Sequence, residues 1–319
     1  MNHKEFQSKH FDTQELSEGV YAAIAIDGQA AISNAGLLDL GGLIIAFDTF
    51  LTPRAAKDLS ILSAEKFVHR PQLLVNSHYH NDHIWGNQAL LPKAQMICSS
   101  QTRELILTEG KKEYDWYFEH AEEKFLDYQL QLQTTQDPKE QKELRTLVGY
   151  YKGMAEAMPS LQVKVPAITF TDHLEIHGEK HTAHLVEFTG GHTGSDTVLY
   201  LPHVGIVFMS DLLFVGSHPY MVDGDPQKWR SILEEISQWD AKILVPGHGP
   251  VGNMDDVKQL IEYIDHCFDQ SKKLIKSGIA SEEDVARVEI PQEYGDWQSS
   301  GFYRANLNFL IKSFSMIRI

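Results

Sequence analysis

The stretch that decides the fold is His78-Tyr79-His80-Asn81-Asp82-His83, which follows the short apolar run Leu73-Leu74-Val75. Three imidazoles and one carboxylate lie within six residues, and polar groups this dense are costly to bury unless each has a partner. A divalent metal ion supplies such a partner, because imidazole and carboxylate ligands suit zinc and related ions. The stretch therefore predicts a metal site on a loop after a buried strand, and a surface histidine cluster is the less favoured alternative.

Further polar motifs follow apolar runs elsewhere in the chain. Met209-Ser210-Asp211 and Pro246-Gly247-His248-Gly249 each follow a run that is typical of a strand. Gly190-Gly191-His192-Thr193-Gly194 lies between them and the first motif, and Asp48 ends an apolar run upstream. Alone, Asp211 or His248 is a weak signal, since either is commonly a turn residue. Their order along the chain makes the combined pattern strong.

Together these motifs resemble those of the metallo-β-lactamase superfamily, over about Val20 to Val251. The resemblance implies an α/β (α+β) fold, the four-layer αββα sandwich of the metallo-β-lactamase fold. It implies two divalent metal ions per chain, most readily Zn, with Mn, Fe or Co as alternatives. It also implies the ligands: the first ion by His78, His80 and His192, the second by Asp82, His83 and His248, and both by Asp211.

The resemblance also implies roles around these ligands. Asp82 and Asp211 are expected to act in catalysis together with a metal-bound hydroxide, since a metal lowers the pKa of its water from 15.7 to ~7. Asp48 is expected to support the histidine loop without binding metal, with a plain turn residue as the alternative. Trp85, just after the histidine loop, and His218 and Tyr220, shortly after Asp211, are candidate substrate-pocket residues, with ordinary packing as the alternative.

The region of about 111–159 differs from the strand-rich sequence around it. Apolar residues recur there at spacings of three and four, which is typical of helices. The first apolar stripe consists of Tyr114, Phe118, Ala121, Phe125, Tyr128 and Leu132. Asp137-Pro138 predicts a helix start, because Asp caps and Pro suits the first turn. We predict an inserted helical hairpin that covers the mouth of the site, or pairs with a second chain, or does both. The predicted domains are 1–255, which contains the catalytic core and the hairpin, and 256–319, a C-terminal helical extension packed on the core.

The composition of the chain limits the classes of partner that it is expected to bind. The chain has 319 residues, with 28 Lys and Arg against 44 Asp and Glu and a net charge of −16, so nucleic acid and anionic membranes are disfavoured and a small-molecule substrate is expected. Cys98 and Cys267 are too few for a disulfide framework or a cysteine-based zinc site, and buried free thiols are expected. Residues 1–19 are polar and unlike a secretory signal, so we expect a cytoplasmic location.

The favoured function is a zinc-dependent hydrolase of a small ester, thioester, lactone or related bond. An iron-dependent sulfur dioxygenase of the same fold is the first alternative, because the relatives' iron ligands overlap with His78, His80 and His192. A non-catalytic binding scaffold is the second, and it is disfavoured because every ligand position is filled.

Overall fold

The computed structural model describes residues 6–278 and 281–316, and the strands in this part of the chain form two sheets. The first sheet has seven strands that neighbour one another in chain order: β1 (Phe11–Ser17), β2 (Val20–Ala25), β3 (Ala35–Asp39), β4 (Ile44–Phe47), β5 (Leu73–Val75), β6 (Gln95–Ser99) and β7 (Ile168–Phe170). Strands β4, β5 and β6 pair parallel. Asp48, which follows β4, and the histidine loop, which follows β5, therefore leave the sheet at the same edge.

The second sheet has five strands: β8 (His173–His177), β9 (Thr182–Phe188), β10 (Asp196–Leu201), β11 (Ile206–Phe214) and β12 (Ile243–His248). Their order is β12-β11-β10-β9-β8. Strands β11 and β12 pair parallel with register shifts, and Phe214 is paired with His248. This parallel pair carries Asp211 within β11 and His248 at the end of β12, so both residues approach the site from the second sheet.

Helices cover the outer faces of the two sheets. They are α1 (Pro53–Phe67), α2 (Asn81–Ile84), α3 (Ser100–Thr134), α4 (Pro138–Ala157), α5 (Pro226–Ile236), α6 (Met254–Lys276), α7 (Glu282–Val285) and α8 (Gly301–Met316). Between the sheets, Phe47 of β4 packs against Phe208 of β11 with their ring centroids 6.0 Å apart. Helix α1 packs on the first sheet, and α5, α6 and α8 pack on the second. The predicted four-layer αββα sandwich is thereby confirmed.

Several helices begin with the same sequence signal, a capping side chain followed by proline. The Thr52 hydroxyl accepts from Ala55 N before Pro53. The carboxylates of Asp137 and Asp225 do the same for α4 and α5, each before a proline. A cap satisfies an orphan N–H of the first turn, and proline loses nothing there because its missing donor would be unpaired. The start predicted at Asp137-Pro138 agrees with the structure.

The inserted hairpin is longer than predicted at its beginning. Helix α3 starts at Ser100, not near residue 111, because β6 runs directly into it and the Ser99 hydroxyl caps it by accepting from Thr102 N. Part of the predicted apolar stripe is exposed to solvent. Ala121 is buried, whereas Phe118 is 63% exposed and the neighbouring Tyr117 packs inward. The stripe was assigned wrongly at that position because an aromatic side chain need not be buried on a surface helix.

The C-terminal helices share a core with the second sheet. Leu260 and Tyr263 of α6 and Leu307 of α8 belong to the same buried cluster as Leu212 of β11. The predicted division of the chain at residues 255 and 256 stays a prediction. Cys98 and Cys267 are buried free thiols, as expected. Within residues 6–278 and 281–316, no helix combines the length and the apolar character needed to cross a membrane.

Candidate metal centre

The structure brings the seven predicted ligands together at one edge of the two sheets, in two adjacent groups. In each group, every residue offers one ligand atom that lies within 4.8 Å of the others. The first group is His78, His80, His192 and Asp211, and the second is Asp82, His83 and His248. The histidine loop, the loop before β10, β11 and β12 all contribute, so the centre forms only when both sheets are assembled.

Asp211 lies between the two groups. Its Oδ1 is 3.1 Å from His83 Nε2, and its Oδ2 is 3.2 Å from His192 Nε2 and 3.4 Å from His248 Nε2. In the second group, Asp82 Oδ2 is 3.4 Å from His248 Nε2 and 3.8 Å from His83 Nε2. One carboxylate thus faces imidazoles of both groups, which is the arrangement expected of a bridging ligand.

The contacts within the centre suit an ion better than hydrogen bonds. His83 Nε2 and Asp211 Oδ1 are buried without a hydrogen-bond partner although they are 3.1 Å apart. Leaving a buried polar atom unsatisfied costs about 1–3 kcal/mol. His80 Nδ1 lies 3.1 Å from His78 Nε2 and 2.9 Å from His192 Nε2, near the ~3.3 Å between ligand atoms that surround a tetrahedral zinc at 2.0–2.1 Å. The residues present therefore fit a divalent metal.

Glycine is required beside the carboxylate of Asp211. A Cβ placed on Gly247 would lie 1.7 Å from Asp211 Oδ1. Any side chain at this position would displace the carboxylate. This contact explains why the sequence reads Pro246-Gly247-His248 before the last ligand.

Asp48 holds the histidine loop through contacts with Ser77 and His83. Its Oδ1 accepts from Ser77 N at 2.8 Å, and its Oδ2 accepts from Ser77 Oγ at 2.7 Å and Ser210 Oγ at 3.1 Å. Its Oδ2 is also 2.8 Å from His83 Nδ1, which leaves His83 Nε2 directed at Asp211. Asp48 has φ 60° and Ser210 has φ 46°. Residues persist in this left-handed conformation when their surroundings over-determine it, and these contacts hold both residues in place; the supporting role of Asp48 in metal binding stays a prediction.

The pKa values of the buried histidines in the centre move in both directions: against the effect of burial, nearby carboxylates raise those of His80, His83 and His248, whereas those of His78 and His192 are lowered. Burial lowers the pKa of His192 to about 3. The nearby Asp211 opposes this shift, whereas the nearby His80 and His83 add to it. Burial also lowers the pKa of His78 well below its usual value. Burial opposes ionisation of Asp211, yet His248, His83 and His192 outweigh it and hold its pKa well below the usual range. Neutral imidazoles and an ionised carboxylate are the ligand forms.

Sequence reasoning missed two carboxyl groups near the centre. Asp223 Oδ2 lies 3.0 Å from His80 Nε2 and accepts from Tyr79 OH at 3.1 Å. A carboxylate behind a metal-binding imidazole fixes its orientation. Glu113 of α3 is the other, and burial raises its pKa to about 8, with Asp82 and Asp223 adding to the rise and His80 opposing it. Neither residue stands in a motif, and only the folded chain places them here.

The hairpin contacts the metal loop. Asn81, between two ligands, donates from Nδ2 to Tyr150 OH of α4 at 2.9 Å. Tyr150 in turn donates to Tyr117 OH of α3 at 2.9 Å. On α3, a Cβ at Gly110 would lie 3.7 Å from the backbone oxygen of Tyr79. Both helices therefore pack against the loop that carries the first ligands.

The three candidate pocket residues have different surroundings. Trp85 is buried against Tyr114 and Tyr117, with ring centroids 6.0 and 5.9 Å away, so it packs between the metal loop and the hairpin. Tyr220 is half-buried, its ring lies 5.1 Å from that of Phe302 of α8, and burial, with Asp223 and Glu113 adding to the effect, raises its pKa to about 12.

His218 lies among the C-terminal helices instead. Its Nδ1 is 2.9 Å from Tyr263 OH. Its ring is 5.6 Å from that of Trp297 and 5.9 Å from that of Tyr303. The structure therefore places the His218 side chain in an aromatic cluster.

Comparisons with known proteins agree with this architecture. A metallo-β-lactamase from Pontibacter korlensis has a TM-score of 0.58 and 16% identity, over 80% of this chain and 99% of that chain. The stereoselective inverting sec-alkylsulfatase Pisa1 from Pseudomonas sp. has a TM-score of 0.68 and 15% identity, over 95% of this chain and 50% of that chain. No curated protein gives a significant match. The family model of the metallo-beta-lactamase superfamily matches residues 28–248, more than half of the sequence, and the chain therefore belongs to that superfamily.

Proposed function

We propose that this protein is a hydrolase that uses two zinc ions to cleave a small ester, thioester, lactone or related bond. The observation that carries the proposal is the position of Asp211, whose two oxygens face imidazoles of both ligand groups at 3.1 to 3.4 Å. Membership of a superfamily of metal-dependent hydrolases supports the reaction class. The fold alone does not determine the bond that is cleaved.

The ligand set supports two ions rather than one. Zinc takes about four ligands, and a catalytic site keeps one position for water. His78, His80 and His192 already satisfy one ion, so a single ion would leave the three residues of the second group unused. When bound, the ions supply Lewis acidity for the substrate oxygen and a water of lowered pKa. Asp211 would be a ligand of both ions, and its negative charge would offset the repulsion between the two cations.

The chain's own groups hold this centre in a fixed geometry. Asp48 orients His83, and Asp223 orients His80, through the ring nitrogens that face away from the ligand groups. Asp82 and Asp211 are the two carboxylates within the two ligand groups. We assign the catalytic roles to these two residues and the positioning roles to Asp48 and Asp223.

We further propose that the hairpin serves both substrate and partner. Its inner side contacts the metal loop through Tyr150 and Asn81, which supports a role in covering the mouth of the site. Its outer side exposes apolar side chains of α3: Trp116, Phe118, Leu126 and Leu130. An exposed apolar face of this kind favours association, and we propose a second copy of the chain as the partner. We propose a small-molecule substrate and a cytoplasmic location for the protein.

Metal removal tests the proposed reaction. The protein is stripped with a chelator, reloaded separately with zinc, manganese, cobalt or iron, and assayed with ester, lactone, thioester and phosphodiester substrates. We expect no hydrolysis after stripping and recovery with zinc. Asp82→Asn should remain inactive after reloading, whereas the exposed control Asp255→Asn should recover fully. Full activity in the metal-free protein would overturn the proposal, and oxygen uptake with a persulfide by the iron-loaded protein would favour the dioxygenase instead.

A further inference from the structure

A second cluster of metal-ligating side chains lies on the outermost strand of the second sheet, apart from the metal centre. His173 and Glu175 stand two residues apart on β8, so they point to the same face of the strand. Across the antiparallel pair, Glu175 is directly opposite His184 of β9. His173 is opposite Val186, two residues further along, which places it diagonally from His184. Directly opposite and diagonal side chains on one face are within reach of each other.

The face that carries the cluster is turned away from the core between the sheets. Ala183 and Leu185, on either side of His184, are buried in that core. The His184 side chain therefore lies on the opposite face, where it is 28% exposed, and Glu175 is 42% exposed. The cluster is open to water, so an ion could enter directly and keep water ligands.

The ligand atoms already have the spacing of a coordination sphere. His173 Nε2 is 3.4 Å from His184 Nδ1, and His184 Nδ1 is 3.8 Å from Glu175 Oε1. One ligand atom from each of the three residues lies within 4.8 Å of the other two. Ligand atoms at 2.0–2.2 Å from a tetrahedral zinc are separated by ~3.3–3.6 Å. Small side-chain rotations would complete a three-ligand site with water as the fourth ligand.

We propose that His173, Glu175 and His184 bind one divalent transition-metal ion of the zinc class at this surface. Two imidazoles and one carboxylate favour zinc, copper or nickel over calcium and magnesium, which prefer oxygen ligands. The net charge of −16 favours any cation at the surface. Since β8 has β9 as its one neighbour in the sheet order, an ion held by both strands fastens the edge strand to the sheet.

Zinc binding at equilibrium tests the proposal. Metal-free wild type, the double variant His173→Ala/His184→Ala and the control His203→Ala, which removes an exposed histidine in the β10–β11 turn, are dialysed against low-micromolar free zinc. We expect wild type and control to bind the same amount and the double variant to bind one ion fewer per chain. The difference does not depend on how many ions the metal centre holds, so this proposal can fail or succeed independently of the proposed function.

Footprinting on the wild-type protein removes the need for a variant that folds. Histidines are modified with diethylpyrocarbonate with and without zinc, and each site is quantified by peptide mass spectrometry. We expect zinc to reduce modification of His173 and His184 severalfold while leaving His203 unchanged. Glu175→Gln should weaken that protection about tenfold in zinc concentration. Equal zinc binding by wild type and double variant, or equal modification of His173 and His184 with and without zinc, would overturn the proposal.

Discussion

Two regions of the molecule bury histidine in opposite ways. In the metal centre, His83 is fully buried and its ring nitrogens face carboxylates, Asp48 on one side and Asp211 on the other. In the C-terminal region, His218 is equally buried, but its neighbours are the rings of Trp297 and Tyr303 and the hydroxyl of Tyr263. Burial alone therefore does not mark a metal ligand, and the carboxylates around the ring make the difference.

The two surroundings drive the pKa in opposite directions. Burial disfavours the charged form of His83, yet Asp211, Asp82 and Asp48 outweigh it and raise its pKa well above the usual value. For His218, burial dominates and lowers the pKa to about 4. The first site attracts a cation, either a proton or a metal, and the second repels one. Removing charges from each region tests this contrast.

The largest effect is expected from Asp211→Asn. Asparagine nearly keeps the size of the side chain but removes the negative charge between the two ligand groups. We expect a weaker second metal site and a fall in kcat/KM of at least about 10³-fold, roughly 4 kcal/mol of transition-state stabilisation. Metal analysis after zinc loading and kinetics with an active substrate measure both. The folded circular-dichroism spectrum should be retained, and one firm ion per chain in both proteins would contradict a bridging role.

A smaller effect is expected from Asp48→Asn. Asparagine tolerates the left-handed backbone that Asp48 adopts at φ 60°, so the change tests the hydrogen bonds to Ser77, His83 and Ser210 and not the backbone. We expect metal affinity to fall about 10–100-fold, as for other groups that orient metal ligands. Competition with a zinc-binding dye measures this. The exposed control Asp255→Asn should keep wild-type affinity, and an unchanged affinity in Asp48→Asn would reduce Asp48 to a turn residue.

The comparison of these two regions also shows which residues of the site could be predicted from the sequence. The candidate ligands could be predicted because they stand in short local motifs that resemble those of the superfamily, each beside an apolar run that is typical of a strand. Asp223 and Glu113 could not, because the loop after β11 and the middle of α3 reach the site only through the tertiary fold. His218 followed the bridging aspartate closely in sequence, but the packing of α6 and α8 determines its side-chain position. Proximity in the sequence to a ligand motif predicted correctly on which loop a residue lies, but it predicted poorly where the side chain of that residue points.

The start of the hairpin illustrates a further limit. The periodic apolar pattern begins near Tyr114, whereas the helix begins at Ser100, where a serine cap and the end of β6 determine it. Between them, Leu107 is 44% exposed and Gly110 is buried, which breaks the amphipathic pattern that the prediction relied on. Helix ends are specified by single capping groups, and these are weaker signals than a repeated apolar face.

The smallest effect on activity, and the sharpest test of the contrast, is expected from His218→Phe. Because His218 lies in the aromatic cluster, kcat/KM and zinc content should remain within about twofold of wild type, the range expected away from a site.

The same variant tests the effect of burial on the pKa of His218. This pKa falls from 6.5 to about 4 on folding, so the unfolded chain binds a proton that the folded chain excludes. The contribution of His218 is therefore fully present above pH 6.5 and is lost progressively as the pH falls toward 4. From 1.36 kcal/mol per pKa unit, the loss reaches roughly 2 kcal/mol at pH 5. Urea unfolding of metal-free wild type and His218→Phe at pH 7 and pH 5 measures it, and the other groups cancel between the two proteins. The variant should lose less stability than wild type over this interval. Equal losses would show that folding does not depress the pKa of His218, and a collapse of activity in the variant would show that His218 acts in the metal centre.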